Sequence, residues 1–326
     1  MPTRPMLRHA VAALLLATTT VASAQTYPAK PIRAVMPYSA GSGPDALLRA
    51  MGEKMARDLG QPVVVDNKPG ANGWIGVGEA KRVAPDGYTM LMCDANIMTL
   101  HQSLFKQVPF DANKDFDPVA PLYSTSYFVV VNANSPWNRL SDLIAAARAR
   151  EGEVTYASWG IGSPGHIGTA LFENGSGVKL RHIPYKDIPA VYLAVASGDV
   201  QWAFGTPGSV APMLQAKKVK VLAYTGPQRL PTFPDVPTVA EEGGGLSKFE
   251  LSTWAAIYMP HGSPKPAIER MNASLVRALN EPEIKERLAT FGFTPWFATP
   301  AEFARAADAD RAKYGEIIRK LNIALD

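Results

Sequence analysis

The chain of 326 residues has a single cysteine, Cys93, so no disulfide can form within it. Cys93 lies inside the apolar run YTMLMCD, the setting of a buried strand thiol. Five histidines (His9, His101, His166, His182, His261) show no HxxxH spacing and no CxxC is present, so a metal site lacks its usual ligand pattern. Fixed-period repeats and low-complexity blocks are missing. Past the first two dozen residues, no segment offers the ~18 uninterrupted apolar residues of a membrane helix. Those first residues have their own character. MPTRPMLRHA carries Arg4 and Arg8, VAALLLATTTVA is apolar, and Ala22, Ser23 and Ala24 form a small-residue cleavage site. This is the pattern of a secretory signal peptide over 1–24, with cleavage expected before Gln25 and no Cys there to take a lipid anchor. A soluble, exported chain is expected. A dominant charge sign is missing too. The 33 Lys and Arg, less Arg4 and Arg8, leave 31 against 29 Asp and Glu, too balanced and too evenly spread for a nucleic-acid partner.

What remains alternates short apolar, β-branched runs with helix-like segments, the sign of parallel βα units. Strands are expected at 32–36, 63–66, 89–93, 128–132, 154–158, 181–185, 200–204, 220–224 and 251–259. Helices are expected at 45–59, 74–83, 97–105, 140–150, 164–174, 189–197 and 208–216, with three more in the last 63 residues. Two passages break the alternation: DFDPVAPLYSTSYFVVVNANSPW, with Pro118, Pro121 and a Ser/Thr cluster, and the Gly-rich EEGGGLSKFELSTW. Two crossings there would give a discontinuous first lobe, 25–124 plus 249–326, enclosing a second at 125–248.

Four expected strands are followed by loops rich in Gly, Ser and Pro that lead into helices: PYSAGSGPD, NKPGANGWIG, SWGIGSPGH and GTPGS. In open α/β sheets ligands bind outside the carboxyl ends of the strands, where such loops sit. Glycines let the backbone approach closely, and helix N-termini favour negative charge. Two loops per lobe would form an anion-favouring clamp. Two enzyme readings compete. Gly41, Gly43 and Ala46 have G-x-G-x-x-A spacing with Asp66 twenty residues on, nearly a dinucleotide fingerprint. Export away from any nicotinamide pool and a second glycine loop straight after Asp66 argue against an oxidoreductase. A Ser/His hydrolase is disfavoured because Ile161 stands where G-x-S-x-G needs its first Gly, and Ser163 and His166 have no third orienting carboxylate.

The segments YPAKPIRAVMPYSAGSGPDALLR, LGQPVVVDNKPGANGWIG, APDGYTML, YASWGIGSPGH, HIPYK and FPDVPTVAEEG together resemble the solute receptors of tripartite tricarboxylate transporters, the Bug family, over essentially the whole mature chain. The resemblance implies an α/β, two-lobed periplasmic binding protein of type II, a Venus flytrap with two hinge crossings. It implies a non-enzymatic, cofactor-free, metal-free monomer that closes over a small carboxylate. The ligand would pass to the membrane subunits of a tripartite carrier, or the protein would signal to a sensor kinase. Carried onto this chain, the ligand loops are Tyr38 to Asp45 and Gly70 to Ile75, with Tyr38, Ser39, Gly41, Ser42, Gly43, Asp45, Gly70, Asn72 and Gly73 as contacts. From the second lobe come Ser158, Gly162, Ser163, His166, Tyr185 and Thr206. Asp45 is either a helix N-terminal acid or a water-mediated ligand contact, and its change to Ala is expected to weaken binding without unfolding. Several positions depart from the family. Tyr38 and Ser39 replace Phe and a small or Pro residue, and Gly41-Ser42 replaces Gly-Gly. Trp159 stands where a small residue is common, either stacking on an aromatic ligand or packing. Asp187 replaces Gly; it would disfavour a second carboxylate, or pair with Lys186 or a ligand amine. Asn96 is a candidate amide contact. No Arg occurs in the four loops, so donors must come from N–H groups, hydroxyls and water rather than a bidentate clamp.

Overall fold

The computed structural model describes residues 27–243 and 245–320. The expected leader and its cleavage site lie outside the described residues. Two sheets carry the fold. The first orders its strands β11-β4-β10-β3-β1-β2, from β1 (Ile32–Met36), β2 (Val63–Asn67), β3 (Thr89–Asp94), β4 (Phe116–Ser126), β10 (Ser252–Pro260) and β11 (Thr294–Pro295). The second orders them β7-β6-β8-β5-β9, from β5 (Phe128–Asn132), β6 (Thr155–Ser158), β7 (Arg181–Pro184), β8 (Trp202–Gly205) and β9 (Val219–Tyr224).

Both sheets are covered on both faces, which is why strands such as β3 read as continuous apolar runs. On the first sheet, Met51 and Met55 of α1 (Gly43–Leu59) meet Met271 and Leu275 of α9 (Lys265–Asn280). On its other face Val77 of α2 (Trp74–Lys81) shares a cluster with Phe303 of α11 (Pro300–Lys320). The second sheet buries Leu143 of α5 (Leu140–Ala149) and Phe172 of α6 (Pro164–Ser176) on one side. On the other it buries Val191 of α7 (Ile188–Ser197) and Val210 of α8 (Pro207–Gln215). Cys93 is a free, buried thiol in β3.

The expectation of purely parallel units holds only in part. β1 runs parallel to β2 and β3, and β6 runs parallel to β7 and β8, each joined through a helix. β5, β9 and β10 instead pair antiparallel with their neighbours. β5 and β10 arrive from the other sheet with no crossover helix, so nothing forces the parallel direction. The passage with Pro118 and Pro121 also differs from its reading as a break between blocks: it is β4, an eleven-residue strand. Its register against β10 slips between Ala255 and Ala256, opposite Pro121, and between Ile257 and Tyr258, opposite Pro118. A proline has no N–H for the ladder, and a bulge at each one accommodates that loss. The helix expected at 97–105 begins as a π turn, Asn96–Leu100, and continues as the short α3 (His101–Leu104).

The chain passes from the first sheet to the second at Tyr127 and returns between Tyr224 and Ser252. Ile167 of α6 packs against Leu104, Tyr314 and Ile318 behind the site, so the lobes also touch away from the crossings.

Candidate ligand-binding site

A cavity of about 370 Å³ lies where the carboxyl ends of the strands of both sheets face each other. From the first sheet come Tyr38 after β1, Asp94 and Asn96 at the end of β3, and Thr125 at the end of β4. From the second come Trp159 after β6, Ile188 after β7 and Thr206 after β8. Tyr123 and Phe293 stack with centroids 3.9 Å apart and planes 2° from parallel, and both form part of its wall. Trp159 lies roughly parallel to Tyr127, centroids 6.1 Å apart. Among the described residues no Lys, Arg or His lines this cavity, and its one carboxylic acid is Asp94.

Four helices begin at or beside the cavity, and all four are capped in the same way. Ser42, Ser163, Asp187 and Thr206 are N-caps whose side chains accept from the backbone N–H three residues on, at Asp45, His166, Ala190 and Ser209. Each helix also has proline in its first or second position, which supplies no N–H. In α8 the remaining N–H, that of Gly208, donates to the Phe291 carbonyl at 3.1 Å, a bond from the second lobe to the first. Among the described residues the first-turn donors left uncommitted are the N–H groups of Gly43, Gly165 and Ile188; Gly43 and Ile188 line the cavity.

Of the residues singled out by sequence, the structure brings Tyr38, Ser42, Gly43, Asn96, Trp159 and Thr206 to the cavity wall. The others shape the loops. Asp45 is 3% exposed and accepts from Gly41 N at 2.9 Å, Asn67 Nδ2 at 2.9 Å and Arg49 Nε at 3.1 Å. Burial alone would raise its carboxyl, but Arg49 and the N–H donors outweigh that and hold it below the usual range. The carbonyl of Ser39 accepts from Ser42 N inside the same loop. Gly70, Asn72 and Gly73 turn the second loop through positive φ. A Cβ on Gly73 would come within 2.4 Å of Ile97 Cδ1, so that loop packs against the π turn beneath Asn96. In the third loop, Ser158 and Ser163 both donate to the Gly160 carbonyl, and Gly162 N donates to His166 Nδ1. The His166 ring stacks on His182, and the Tyr185 N–H pairs with Ser158 O. Asp187 spends one carboxylate oxygen on its capping bond to Ala190 N at 2.8 Å.

Sequence reasoning missed Asp94, Ser209, the tyrosines 123, 127 and 192, Thr253, Trp254 and the Phe291–Phe293 corner. Asp94 was within reach, since it ends a buried strand beside Asn96. The corner carries no local signal, because only the packing of α10 (Pro282–Thr290) brings it to the site. Asp94 accepts from Tyr38 Oη at 2.7 Å and Ile97 N at 3.0 Å. Burial nevertheless pushes its carboxyl above the usual range.

Among the described residues neither enzyme arrangement is assembled. Asp66, the residue a dinucleotide ribose would need, is bound by Arg33 Nε at 3.0 Å and lies in an ion pair with Lys68. Ser163 and His166 meet only through a backbone N–H. Ser158 Oγ does lie 2.7 Å from His182 Nε2, but Ser158 is fully buried.

The family model described as the tripartite tricarboxylate transporter family receptor matches residues 47–323. The chain belongs to this receptor family. The receptor is 31% identical to protein BugT of Bordetella pertussis over 97% of its own length and 98% of that protein's. It is 32% identical to a Cupriavidus necator UPF0065 protein from the gbd 5′ region, over 93% and 91%. Among solved structures it resembles R. palustris Rpa4515 with adipate (TM-score 0.83, 27% identity, 92% and 100% covered) and the periplasmic binding protein BugD (0.79, 28%, 92% and 100%). MatC of Rhodopseudomonas palustris, with bound malate, is similar at 0.78 and 25%, covering 90% and 100%. The family is one of solute-binding receptors, and the two-lobed fold follows it.

One buried group of the receptor carries a pH signature. His101 is 3% exposed, and burial lowers its pKa to about 4. The unfolded chain protonates this ring near 6.5, so between about 6.5 and 4 the unfolded state binds more protons and stability falls as pH drops. From pH 7 to 4.5 the receptor should lose about 2 kcal/mol at this residue. Urea midpoints of wild type and His101→Gln at the two pH values check this; an equal pH dependence in both contradicts it.

Proposed function

We propose that this receptor is exported, cleaved before Gln25, and captures a small carboxylic acid with a flat, apolar body between lobes 25–124 plus 249–326 and 125–248. It would deliver that acid, as a monomer, to the membrane subunits of a tripartite carrier. The observation that carries the reading is the cavity wall. Helix starts and hydroxyls supply the donors, aromatic rings supply most of the remaining surface, and no cationic side chain stands there among the described residues. Rpa4515 and MatC hold adipate and malate, each with two carboxylates. In this chain a second carboxylate would meet Asp94 with no cation to offset the repulsion, which favours one carboxylate and an aromatic body. Trp159 and Tyr127, roughly parallel on the wall, would stack on that body.

Native mass spectrometry of the purified receptor, then thermal shift and calorimetry with benzoate, nicotinate, adipate and malate, test the reading. Benzoate or nicotinate should raise the melting temperature and bind more tightly than the diacids. Trp159→Leu should weaken the aromatic acids about tenfold and leave the diacids unchanged. Preference for adipate or malate would overturn the aromatic assignment, and silence across all four would count against carboxylate capture.

A further inference from the structure

Asp94 ends β3 on the cavity wall, and it is the one residue of that strand that is not fully buried. Its Oδ2 accepts from Tyr38 Oη at 2.7 Å, and its Oδ1 accepts from Ile97 N at 3.0 Å. The Asn96 N–H donates to the same carboxylate. Donors on both oxygens are the setting of an ionised carboxylate, whose about four lone-pair sites exceed the three donors found here. Tyr38 lines the cavity beside it, and its one hydroxyl proton is spent on Asp94, so the phenol oxygen has only lone pairs left.

This corner of the cavity is therefore built from acceptors. Among the described residues no Lys, Arg or His on the wall balances its charge. A ligand carboxylate turned toward it would meet like charge, so the acid end belongs against the helix starts and another part of the ligand fills the corner. An apolar edge there would displace water from Asp94 and leave an acceptor unpaired, whereas a donor would pair it. We propose that Asp94 is a specificity-determining residue that accepts a hydrogen bond from a hydroxyl or amino group on the ligand's flat body, away from its carboxylate. The rest of the ligand rests on the carboxylate reading above; the donor at Asp94 does not.

Calorimetry on the full mature chain tests this with benzoate, the 3- and 4-hydroxybenzoates, the matching aminobenzoates and the matching methoxybenzoates. One hydroxy or amino isomer should bind about tenfold or more tightly than benzoate, and its methoxy counterpart, which cannot donate, should lose that gain. In Asp94→Asn the gain should vanish, while benzoate and adipate bind at least as tightly as to the wild type because a like charge is gone. Equal affinity of the wild type for benzoate and every donor-bearing isomer would overturn the proposal. An equal loss for benzoate and the hydroxybenzoates in Asp94→Asn would overturn it too, since that is what a purely structural aspartate gives. If Asp94→Asn does not fold, the wild-type series decides alone. If no acid binds the wild type, the carboxylate reading fails, and saturation-transfer NMR with phenol and anisole decides the donor site: phenol alone should bind, and equal signals or none would overturn it.

Discussion

Gly208→Ala is expected to cost the receptor about 10- to 100-fold in ligand affinity while leaving the ligand-free protein folded. A Cβ at this position would stand 2.8 Å from the Phe291 carbonyl oxygen and 2.9 Å from Phe291 Cα, both backbone atoms that cannot rotate aside. The same methyl would press on the one first-turn N–H bond that joins the lobes, from Gly208 to Phe291. On the opposite side of the contact, a Cβ on Gly292 would meet Pro207 at 2.4 Å, so neither surface has room to yield. A separation of the two lobes would relieve these contacts, so the expected cost falls on the arrangement in which Gly208 meets Phe291. A ligand that needs both walls then loses affinity in proportion to the closed population. Calorimetry with the acid that binds best, together with small-angle scattering with and without it, reads both effects. Wild-type affinity, or a variant that melts far earlier without ligand, would show that the contact is not specific to closure.

Asp45→Ala is expected to destabilise the fold by about 3 kcal/mol. Its buried carboxylate answers Gly41 N, Asn67 Nδ2 and Arg49 together, and removing it takes an acceptor from donors in three different segments, leaving Asn67 Nδ2 the Tyr38 carbonyl and Arg49 Nη2 the Asn67 Oδ1. The pH dependence has a fixed sign. This carboxyl is lowered in the folded state, so its contribution is complete above the unfolded value of 3.8 and is lost as pH falls through the lower folded value. The gap in melting temperature between wild type and variant should therefore be wide at pH 7 and close in strong acid. Weakened binding with an unchanged melting temperature would instead return Asp45 to the role of a ligand contact.

The two outcomes mark where sequence reasoning reached and where it stopped. Strand–loop–helix order was legible because apolar runs ending in Gly and Pro reveal the carboxyl ends of strands. That order put the loops holding Tyr38, Ser42, Trp159 and Thr206 at a common mouth, and the family resemblance singled out those residues within them. The same pattern could not separate residues facing the ligand from residues that hold the loop together. Ser163 and His166 occupy helix-start positions equivalent to those of Ser42 and Asp45, yet neither lines the cavity. Direction of pairing was hidden because it depends on which lobe a strand comes from, and the bulges at Pro118 and Pro121 look from sequence like breaks. Phe291 and Phe293 were beyond reach, since their place at the site depends on how α10 docks against α1 rather than on anything adjacent in the chain.

The proline at each cavity helix start has a consequence for which anions are refused. Each helix keeps a single first-turn amide after capping, and α8 gives its own to the opposite lobe. Gly43 and Ile188, which carry two of these amides, stand on the wall, and with a few hydroxyls they would match the two oxygens of a carboxylate. Phosphate and sulfate carry twice as many oxygens and more charge, and here they would leave desolvated acceptors unpaired beside Asp94. Inorganic oxyanions, abundant outside the cell membrane, should therefore be poor competitors. The receptor would owe that discrimination to donors it withholds rather than to any it adds.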